Sequence, residues 1–286
     1  MTAGLEVVDA GPLTTVQDLG RPGLASMGVG PSGAADRASA QRANALVGNP
    51  ASAAVLEVTL GGLQVLAHDD MQVAVAGAPV TVTVDGAEVG SSVVRLTAGS
   101  TLRLGRPPLG VRTYLAVRGG VDVAPVLGSR STDLLSGLGP SRLRPGDVIA
   151  AGDVARVGGE VPDALAVAAD VDLPLLPGPR LDLFAADAFA RLLSAPYVVM
   201  PDSNRVALRL DGEPLRRTSA GELASEGLVR GALQVPRSGQ PVLFLADHPV
   251  TGGYPVVAVV PDAWTDRAAQ ARPGSRITFR AHDVRR

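Results

Sequence analysis

The chain contains no cysteine, and all 26 of its lysine-plus-arginine positions are arginine. Without cysteine there is no disulfide, no thiolate metal site and no thiol nucleophile. Without lysine there is no Schiff-base amine, no P-loop lysine and no biotinyl-lysine on this polypeptide. Imidazole is confined to His68, His248 and His282. Aromatic residues make up 3% of the chain and the formal net charge is −2, which leaves few stacking platforms and no basic footprint for nucleic acid. No apolar run approaches the roughly 18 residues of a membrane span, so no membrane partner is expected. The first ten residues include Glu6 and Asp9 and no basic start. They do not read as a secretory signal, and a cytoplasmic protein is expected. Exclusive use of arginine fits a GC-rich genome better than a general demand for guanidinium. The chemistry left to this chain rests on Ser and Thr hydroxyls, carboxylates, arginine, backbone amides and three histidines.

What is abundant is punctuation. The 286 residues include 34 Gly and 23 Pro, and between them lie short runs rich in Val, Leu and Ile. Strands are expected at 72–76, 80–84, 93–96, 101–104, 113–117, 206–210, 241–245, 256–260 and 276–279. Many short strands with frequent turn signals predict a mainly β fold with α+β detail, of sandwich or barrel type. Asp85-Gly86 between two such runs is a hairpin signal. Ala98-Gly99-Ser100, Pro145-Gly146-Asp147 and Pro273-Gly274-Ser275 each read as a turn that launches a strand. Three helices are expected: one capped by Ser32 and running to about Val47, one at 185–193, and one capped by Asp262 and running to Ala271. The stretch 158–179, rich in Gly, Pro and small residues, reads as an extended connector. It divides the chain into two β-rich domains, 1–173 and 174–286.

Three segments carry the candidate chemistry. The first is Thr15-Val16-Gln17-Asp18-Leu19-Gly20-Arg21-Pro22-Gly23, continuing through Ser32-Gly33 to Asn44. Amides at a helix N-terminus together with Arg21 can hold an anion; alternatively Gln17, Asp18 and Arg21 satisfy one another in a structural loop. The second is Gly128-Ser129-Arg130-Ser131-Thr132, whose donors suit an anion or simply bond nearby backbone. The third runs from Glu226 through Gly231–Pro236 and Ser238-Gly239-Gln240-Pro241 to Ala246-Asp247-His248-Pro249-Val250-Thr251-Gly252-Gly253-Tyr254. It puts an acid, an imidazole, a hydroxyl and a Gly-Gly pair after a strand end, where scaffolds present functional groups. Asp247 or Glu226 can serve as base there, and Gly252 and Gly253 can bring amides to a ligand oxygen. The competing reading is a turn in which Asp247 and Thr251 cap backbone groups. Alternation in 204–212 puts Arg205 and Arg209 on one strand face, either as an anion clamp or as a solvated face.

These segments, with Ala43–Asn49, Leu56–Thr59, Tyr114–Gly120 and Pro145-Gly146-Asp147, resemble in order the signature strings of the allophanate-hydrolase-subunit-2 family, also called the biotin-dependent carboxyltransferase family. The resemblance covers almost the whole chain. Val250 stands where the family usually has a second Thr, and Ala207 where it usually has a Gly. The resemblance implies cyclophilin-like β-barrel character, with the C-terminal domain as such a barrel. For stand-alone members it implies ATP-dependent opening of 5-oxoproline to glutamate in a hetero-oligomer with subunit-B-like and subunit-A-like 5-oxoprolinase partners. ATP with Mg²⁺ would be the co-substrate, and any biotin would belong to another protein. In that reading Glu226, Asp247 and His248 are the candidate catalytic groups. Arg21, Ser32 and Arg130 in the first half are candidate substrate or nucleotide contacts. In the second half the candidates are Arg205, Gln234 and Gln240, joined by the run Thr251, Gly252, Gly253, Tyr254. No metal ligand is assigned. Two other functions stay open: a carboxyltransferase component of a urea-amidolyase-like system, and a non-enzymatic partner of a kinase-inhibitor protein.

Overall fold

The computed structural model describes residues 4–218 and 223–282, and the chain forms two compact units. The first takes in residues up to Arg21, Ser32–Asp133 and Gly137–Val167; the second takes in Pro22–Pro31, Leu134–Ser136 and the chain from Ala168. No helix among the described residues is long and apolar enough to cross a membrane.

The first unit contains β1 (Gly4–Ala10), β2 (Leu13–Gln17), α1 (Arg37–Leu46), β3 (Val55–Thr59), β4 (Leu63–Ala67), β5 (Met71–Gly77), β6 (Val82–Val84), β7 (Ala87–Glu88), β8 (Val93–Leu96), β9 (Thr101–Leu104), β10 (Arg112–Val117), β11 (Val121–Asp122) and β12 (Val148–Ala151). They form a seven-stranded sheet, β11-β12-β1-β4-β9-β6-β7, and a five-stranded sheet, β2-β3-β10-β5-β8. One apolar cluster joins the sheets, with Leu5, Val7, Val65 and Leu102 from the first and Leu56, Val58, Val73 and Leu115 from the second. Fully burying a side chain such as Leu115 contributes about 1.5–3 kcal/mol. Strand β10 is buried at every position because it has two covered faces. Leu115 and Val117 enter the inter-sheet core, while Tyr114 and Ala116 pack with Ala40 and Ala43 of α1. Small residues on that helix face let it lie close to the sheet. The Asp85-Gly86 hairpin forms as the sequence predicts: φ is +50° and +82°, and Val84 pairs with Ala87.

The second unit contains β13 (Val171–Pro177), α2 (Ala188–Ser194), β14 (Tyr197–Val199), β15 (Ala207–Asp211), β16 (Glu226–Gly227), β17 (Ala232–Gln234), β18 (Val242–Phe244), β19 (Thr251–Gly252), β20 (Val256–Val259), α3 (Asp262–Ala268) and β21 (Arg276–Ala281). Seven of these strands close a barrel in the order β13-β20-β17-β18-β15-β14-β21. Closure depends on the parallel pair β13 and β21, in register from Val171 opposite Ile277 to Leu175 opposite Ala281. Leu173, Leu208, Leu233, Leu243 and Val257 fill the interior, and Ala188 and Leu192 of α2 extend the same cluster. The mainly β, barrel-containing fold is thus as the sequence indicates.

Several local expectations are corrected. Residues 171–177 are a barrel strand rather than part of a connector. Val171, Leu173 and Leu175 are buried in alternation, and Pro174 falls where β13 pairs only with β21, since β20 joins at Leu176 and Pro177. Helix α1 starts at Arg37 and is capped by Asp36, whose carboxylate accepts from the Ser39 amide at 2.9 Å. Ser32 cannot cap it, because its hydroxyl donates to the Thr132 carbonyl at 3.2 Å and its φ is +50°. Helix α2 starts at Ala188 because the Ala185 amide is spent on the Arg216 carbonyl. Asp262 is the first residue of α3 and not its cap; its carboxylate meets the buried Arg230 at 2.7 Å.

Two buried phenols make the fold sensitive to alkali. Burial, then the charges of Glu57 and Asp36, push the Tyr114 hydroxyl well above its ordinary value. Burial, then Glu213, pushes Tyr197 up to about 12. Both are neutral in the folded chain but ionise near pH 10 once unfolded. The stability they confer is therefore complete below about pH 10 and lost as pH rises toward 12. Thermal melts across that range should fall in step with the rise of phenolate absorbance. A flat melting temperature through pH 12 would contradict the assignment.

Candidate functional site

In the first unit the first two sequence segments meet. The Asp18 carboxylate accepts from the Gly20 amide at 2.7 Å and, at 2.6 Å each, from the Ser129 hydroxyl, the Arg130 amide and the Ser131 hydroxyl. The Ser131 hydroxyl in turn accepts from the Asp18 amide at 2.9 Å. Arg21 is buried and gives its guanidinium to two carbonyls, Ser131 at 2.5 Å and Val126 at 3.3 Å. Gln17 donates to the Thr132 carbonyl at 2.9 Å, the same oxygen that Ser32 uses. Arg130 takes part through its backbone, and its side chain lies 3.8 Å from Asp122. Asp18 is thus satisfied by the second segment and not by its own neighbours.

The helix N-terminus that the sequence offers for an anion has one of its own. The Glu57 carboxylate accepts from the Ala35 amide at 2.9 Å and from the Tyr114 hydroxyl at 2.8 Å. The Tyr114 oxygen in turn accepts from the Asp36 amide at 2.8 Å. Arg112 stands 3.4 Å from the same carboxylate. Glu57 is missed by a reading of the sequence, because an acid inside the run Val55–Thr59 looks like the solvent face of a strand. Here that face is covered by α1.

In the second unit the residues of the third segment divide among separate clusters. Arg205 and Asp247 are buried and form a bidentate pair, Nε to Oδ2 and Nη2 to Oδ1, each at 2.9 Å. The Leu134 amide donates to Oδ2 of Asp247 at 3.3 Å, and Gly30 lies against the His248 carbonyl, where a Cβ would approach it to 3.2 Å. Both short excursions, Pro22–Pro31 and Leu134–Ser136, therefore touch the Asp247-His248 turn. His248 is buried, and its Nδ1 stands 2.8 Å from the Pro249 carbonyl. A carbonyl only accepts, so Nδ1 carries a proton.

Glu226 lies on β16, paired with β19 so that Glu226 faces Gly252. Arg180 reaches both of its oxygens, with Nε at 2.8 and 3.0 Å and Nη2 also in contact. Hydrogen bonding to Arg180 holds the Glu226 carboxyl below the usual glutamate range. Gln234 donates to the Tyr254 carbonyl at 2.7 Å. Gly252 sits over it, and a Cβ there would come within 2.7 Å of Gln234 Nε2 and 2.9 Å of Leu228 Cδ1. A Cβ on Gly253 would stand 3.6 Å from the Leu223 carbonyl. Thr251 and the Tyr254 ring are exposed. Gln240 bonds elsewhere, accepting from the Gly212 amide and donating to the Gly212 carbonyl, both at 3.1 Å. Arg205 and Arg209 do not share a face. Arg205 is buried with Asp247, and Arg209 is exposed and paired with Asp202 at 2.9 Å.

Of the three candidate catalytic groups, Asp247 and Glu226 are paired with arginines, and His248 is buried with its Nδ1 on the Pro249 carbonyl. Sequence reasoning missed Arg180 and the Leu134 amide. Arg180 lies 46 residues from Glu226 in a proline-rich stretch that carries no catalytic pattern.

The second unit is a closed seven-stranded barrel and the first is built of two sheets. Residues 27–281 match the family model for the carboxyltransferase domain, subdomains A and B, and the chain belongs to this family. It is 40% identical over 282 residues to the subunit-C protein of 5-oxoprolinase from Escherichia coli (strain K12), covering 96% of this chain and 90% of that protein. The crystal structure of TTHA0988 superposes with a TM-score of 0.88 at 36% identity, over 98% of this chain and 56% of that one. The Kluyveromyces lactis urea amidolyase structure gives a TM-score of 0.92 at 29% identity, over 99% of this chain and 19% of that one. The chain therefore spans about half of TTHA0988 and about a fifth of urea amidolyase.

Proposed function

We propose that the chain is one subunit of an ATP-dependent 5-oxoprolinase that opens 5-oxoproline to glutamate together with subunit-B-like and subunit-A-like partners in the cytoplasm. The observation that carries this reading is the end-to-end match to the E. coli protein, 90% of whose length is covered. In urea amidolyase the same region is a small part of a much longer chain.

The chemical difficulty is a stable amide. ATP would transfer its γ-phosphoryl group to the lactam oxygen and leave as ADP; water adds to the activated ring carbon, the C–N bond breaks as the nitrogen takes a proton, and the resulting acyl phosphate is hydrolysed to glutamate and phosphate. In this reading His248 Nε2 accepts a proton from the attacking water, and the Nδ1 bond to Pro249 holds the ring in the required tautomer. Asp247 and Arg205 act as positioning residues for the turn that carries His248. Mg²⁺ would travel on the phosphates of the nucleotide.

The test is reconstitution. The chain with both partner subunits, ATP, Mg²⁺ and 5-oxoproline should release glutamate and phosphate. His248→Gln is expected to lower kcat by about 10²–10⁴-fold. Glu226→Gln is expected to change kcat little, because Glu226 is ion-paired and not a base in this geometry. No glutamate from the complete assembly would sink the proposal. The second reading, a carboxyltransferase component, is favoured by the family model. It would require a separate biotin carrier, since this chain has no lysine to carry one, and carboxyl transfer from that carrier to urea would identify it.

A further inference from the structure

Four arginines are buried among the described residues: Arg21, Arg112, Arg205 and Arg230. Three of them face a carboxylate, Arg112 at Glu57, Arg205 at Asp247 and Arg230 at Asp266. Arg21, in the first unit, faces none among the described residues: its hydrogen bonds go to the neutral carbonyls of Ser131 and Val126. It is 2% exposed, and its Nη1 is shut from solvent without a hydrogen-bond partner. Two uncharged side chains share that condition, with Gln17 Oε1 and Thr132 Oγ1 likewise buried and unpartnered. The three gather on one dipeptide. Arg21 bonds the Ser131 carbonyl at 2.5 Å, and Gln17 bonds the Thr132 carbonyl at 2.9 Å. Buried polar atoms are nearly always satisfied, and a buried cation needs a counter-charge. Three orphaned atoms around two adjacent residues therefore mark a recognition site rather than a structural knot.

The unused valences define the ligand. Gln17 Nε2 is committed to the Thr132 carbonyl and the Thr15 hydroxyl, which fixes Oε1 as an acceptor. Arg21 Nη1 is a charged donor, and the Thr132 hydroxyl can donate as well. A carboxylate satisfies both and supplies the missing charge. An N–H carried on the same carbon as that carboxylate satisfies Gln17. The frame is preset: Asp18 fixes residues 129–131 through two hydroxyls and an amide, and the Thr132 amide donates to the Val16 carbonyl at 2.9 Å. The cover is a glycine turn. Gly137 and Gly139 have φ of +72° and +83°, and a Cβ on Gly139 would come within 2.1 Å of the Ser131 carbonyl and 3.2 Å of Arg21 Nη2. The Asp133 amide on the Leu138 carbonyl, at 2.9 Å, and the Gly137 amide on the Asp133 carbonyl, at 3.0 Å, hold the base of the turn.

We infer that Arg21, Gln17 and Thr132 recognise a small molecule with a carboxylate and an N–H on the same carbon, which enters as the turn 137–139 swings aside. That this molecule is the 5-oxoproline of the reaction rests on the 5-oxoprolinase reading; the pattern of donors and acceptors does not. Titration calorimetry of the full chain tests it with 5-oxo-L-proline, with N-acetylglycine, with 2-pyrrolidinone, which has no carboxylate, and with cyclopentanecarboxylate, which has no N–H. 5-Oxoproline should bind, and each compound lacking one group should bind about tenfold more weakly or worse. Thr132→Val is the decisive variant. Its hydroxyl has no partner to lose, so the melting temperature should equal or exceed that of the wild type while affinity for 5-oxoproline falls about tenfold. Thr132→Ser keeps the hydroxyl and should bind like the wild type. Failure of both 5-oxoproline and N-acetylglycine to bind, equal binding of the two stripped compounds, or a Thr132→Val chain that binds like the wild type would overturn the site. A Thr132→Val chain that melts well below both the wild type and Thr132→Ser would show the hydroxyl already bonded and overturn it as well. N-acetylglycine binding without 5-oxoproline binding would keep the site and remove the 5-oxoprolinase reading. Glutamate release at an unchanged KM by an assembly carrying Thr132→Val would overturn the site and leave the reaction standing.

Discussion

Asp247→Ala is expected to destabilise the second unit by about 3–5 kcal/mol, because it leaves the Arg205 guanidinium buried without its counter-charge. The side chains of Arg205 and Asp247 are 2% and 0% exposed, so water cannot take the place of the lost carboxylate. The Leu134 amide loses an acceptor in the same step. The companion variant Arg205→Met/Asp247→Leu removes both charges and fills the space with apolar atoms. It should recover most of the loss, since a buried pair replaced as a whole is often neutral in stability. Chemical denaturation of the wild type, both single variants and the double variant closes the cycle. A coupling energy below about 1 kcal/mol would show that the pair does not hold the turn. The double variant also separates stability from catalysis. If Asp247 and Arg205 only position His248, the refolded double variant should lose kcat while its melting temperature stays near that of the wild type.

Much of this architecture is legible in the residue order, for a definite reason. Where one strand face meets a core, alternation reports it, as in β8, β9 and β21. The turn signals that precede β9, β12 and β21 also sit where the sequence places them. Legibility fails where polar residues are buried. Strand β2 reads Leu13-Thr14-Thr15-Val16-Gln17, and all but Leu13 are buried. Thr14 is satisfied by the Ala10 carbonyl and Gln17 by the Thr132 carbonyl, bonds that a local pattern cannot contain. The site divides in the same way. The Asp247-His248 turn is readable as a strand end rich in functional groups. Its controlling partners are not, because Arg205 lies 42 residues away and the Leu134 amide 113 away. A sequence pattern reports periodicity and turn chemistry; it does not report which distant charge a carboxylate has found.

Asp18→Ala should show the same principle in the first unit. The carboxylate accepts two hydroxyls and two amides. Ser129 and Ser131 are fully buried, so their donors are left without an acceptor when it goes. Unsatisfied buried groups cost about 1–3 kcal/mol each, with charge-assisted bonds at the upper end. The loss should reach about 3 kcal/mol, which for a unit of this size lowers the melting temperature by roughly 6–12 °C. Asp18→Asn should be a partial rescue. Three of the four donors converge on Oδ1, which the amide carbonyl of asparagine can replace, while the Arg130 amide on Oδ2 would face a second donor. The variant should therefore fall between wild type and alanine, whereas most surface Asp→Asn changes stay within about 0.5 kcal/mol. The consequence extends beyond the carboxylate, because Ser131 also supplies the carbonyl that receives Arg21, and Thr132 the one that receives Ser32. Arg21 and Ser32 close the two ends of the excursion Pro22–Pro31, and Asp133 begins the excursion Leu134–Ser136. Loss of Asp18 should accordingly raise hydrogen exchange first in 126–133 and 20–33, ahead of β10 and β3. Uniform exchange across the unit, or a melting shift below about 2 °C, would show that Asp18 does not anchor these loops.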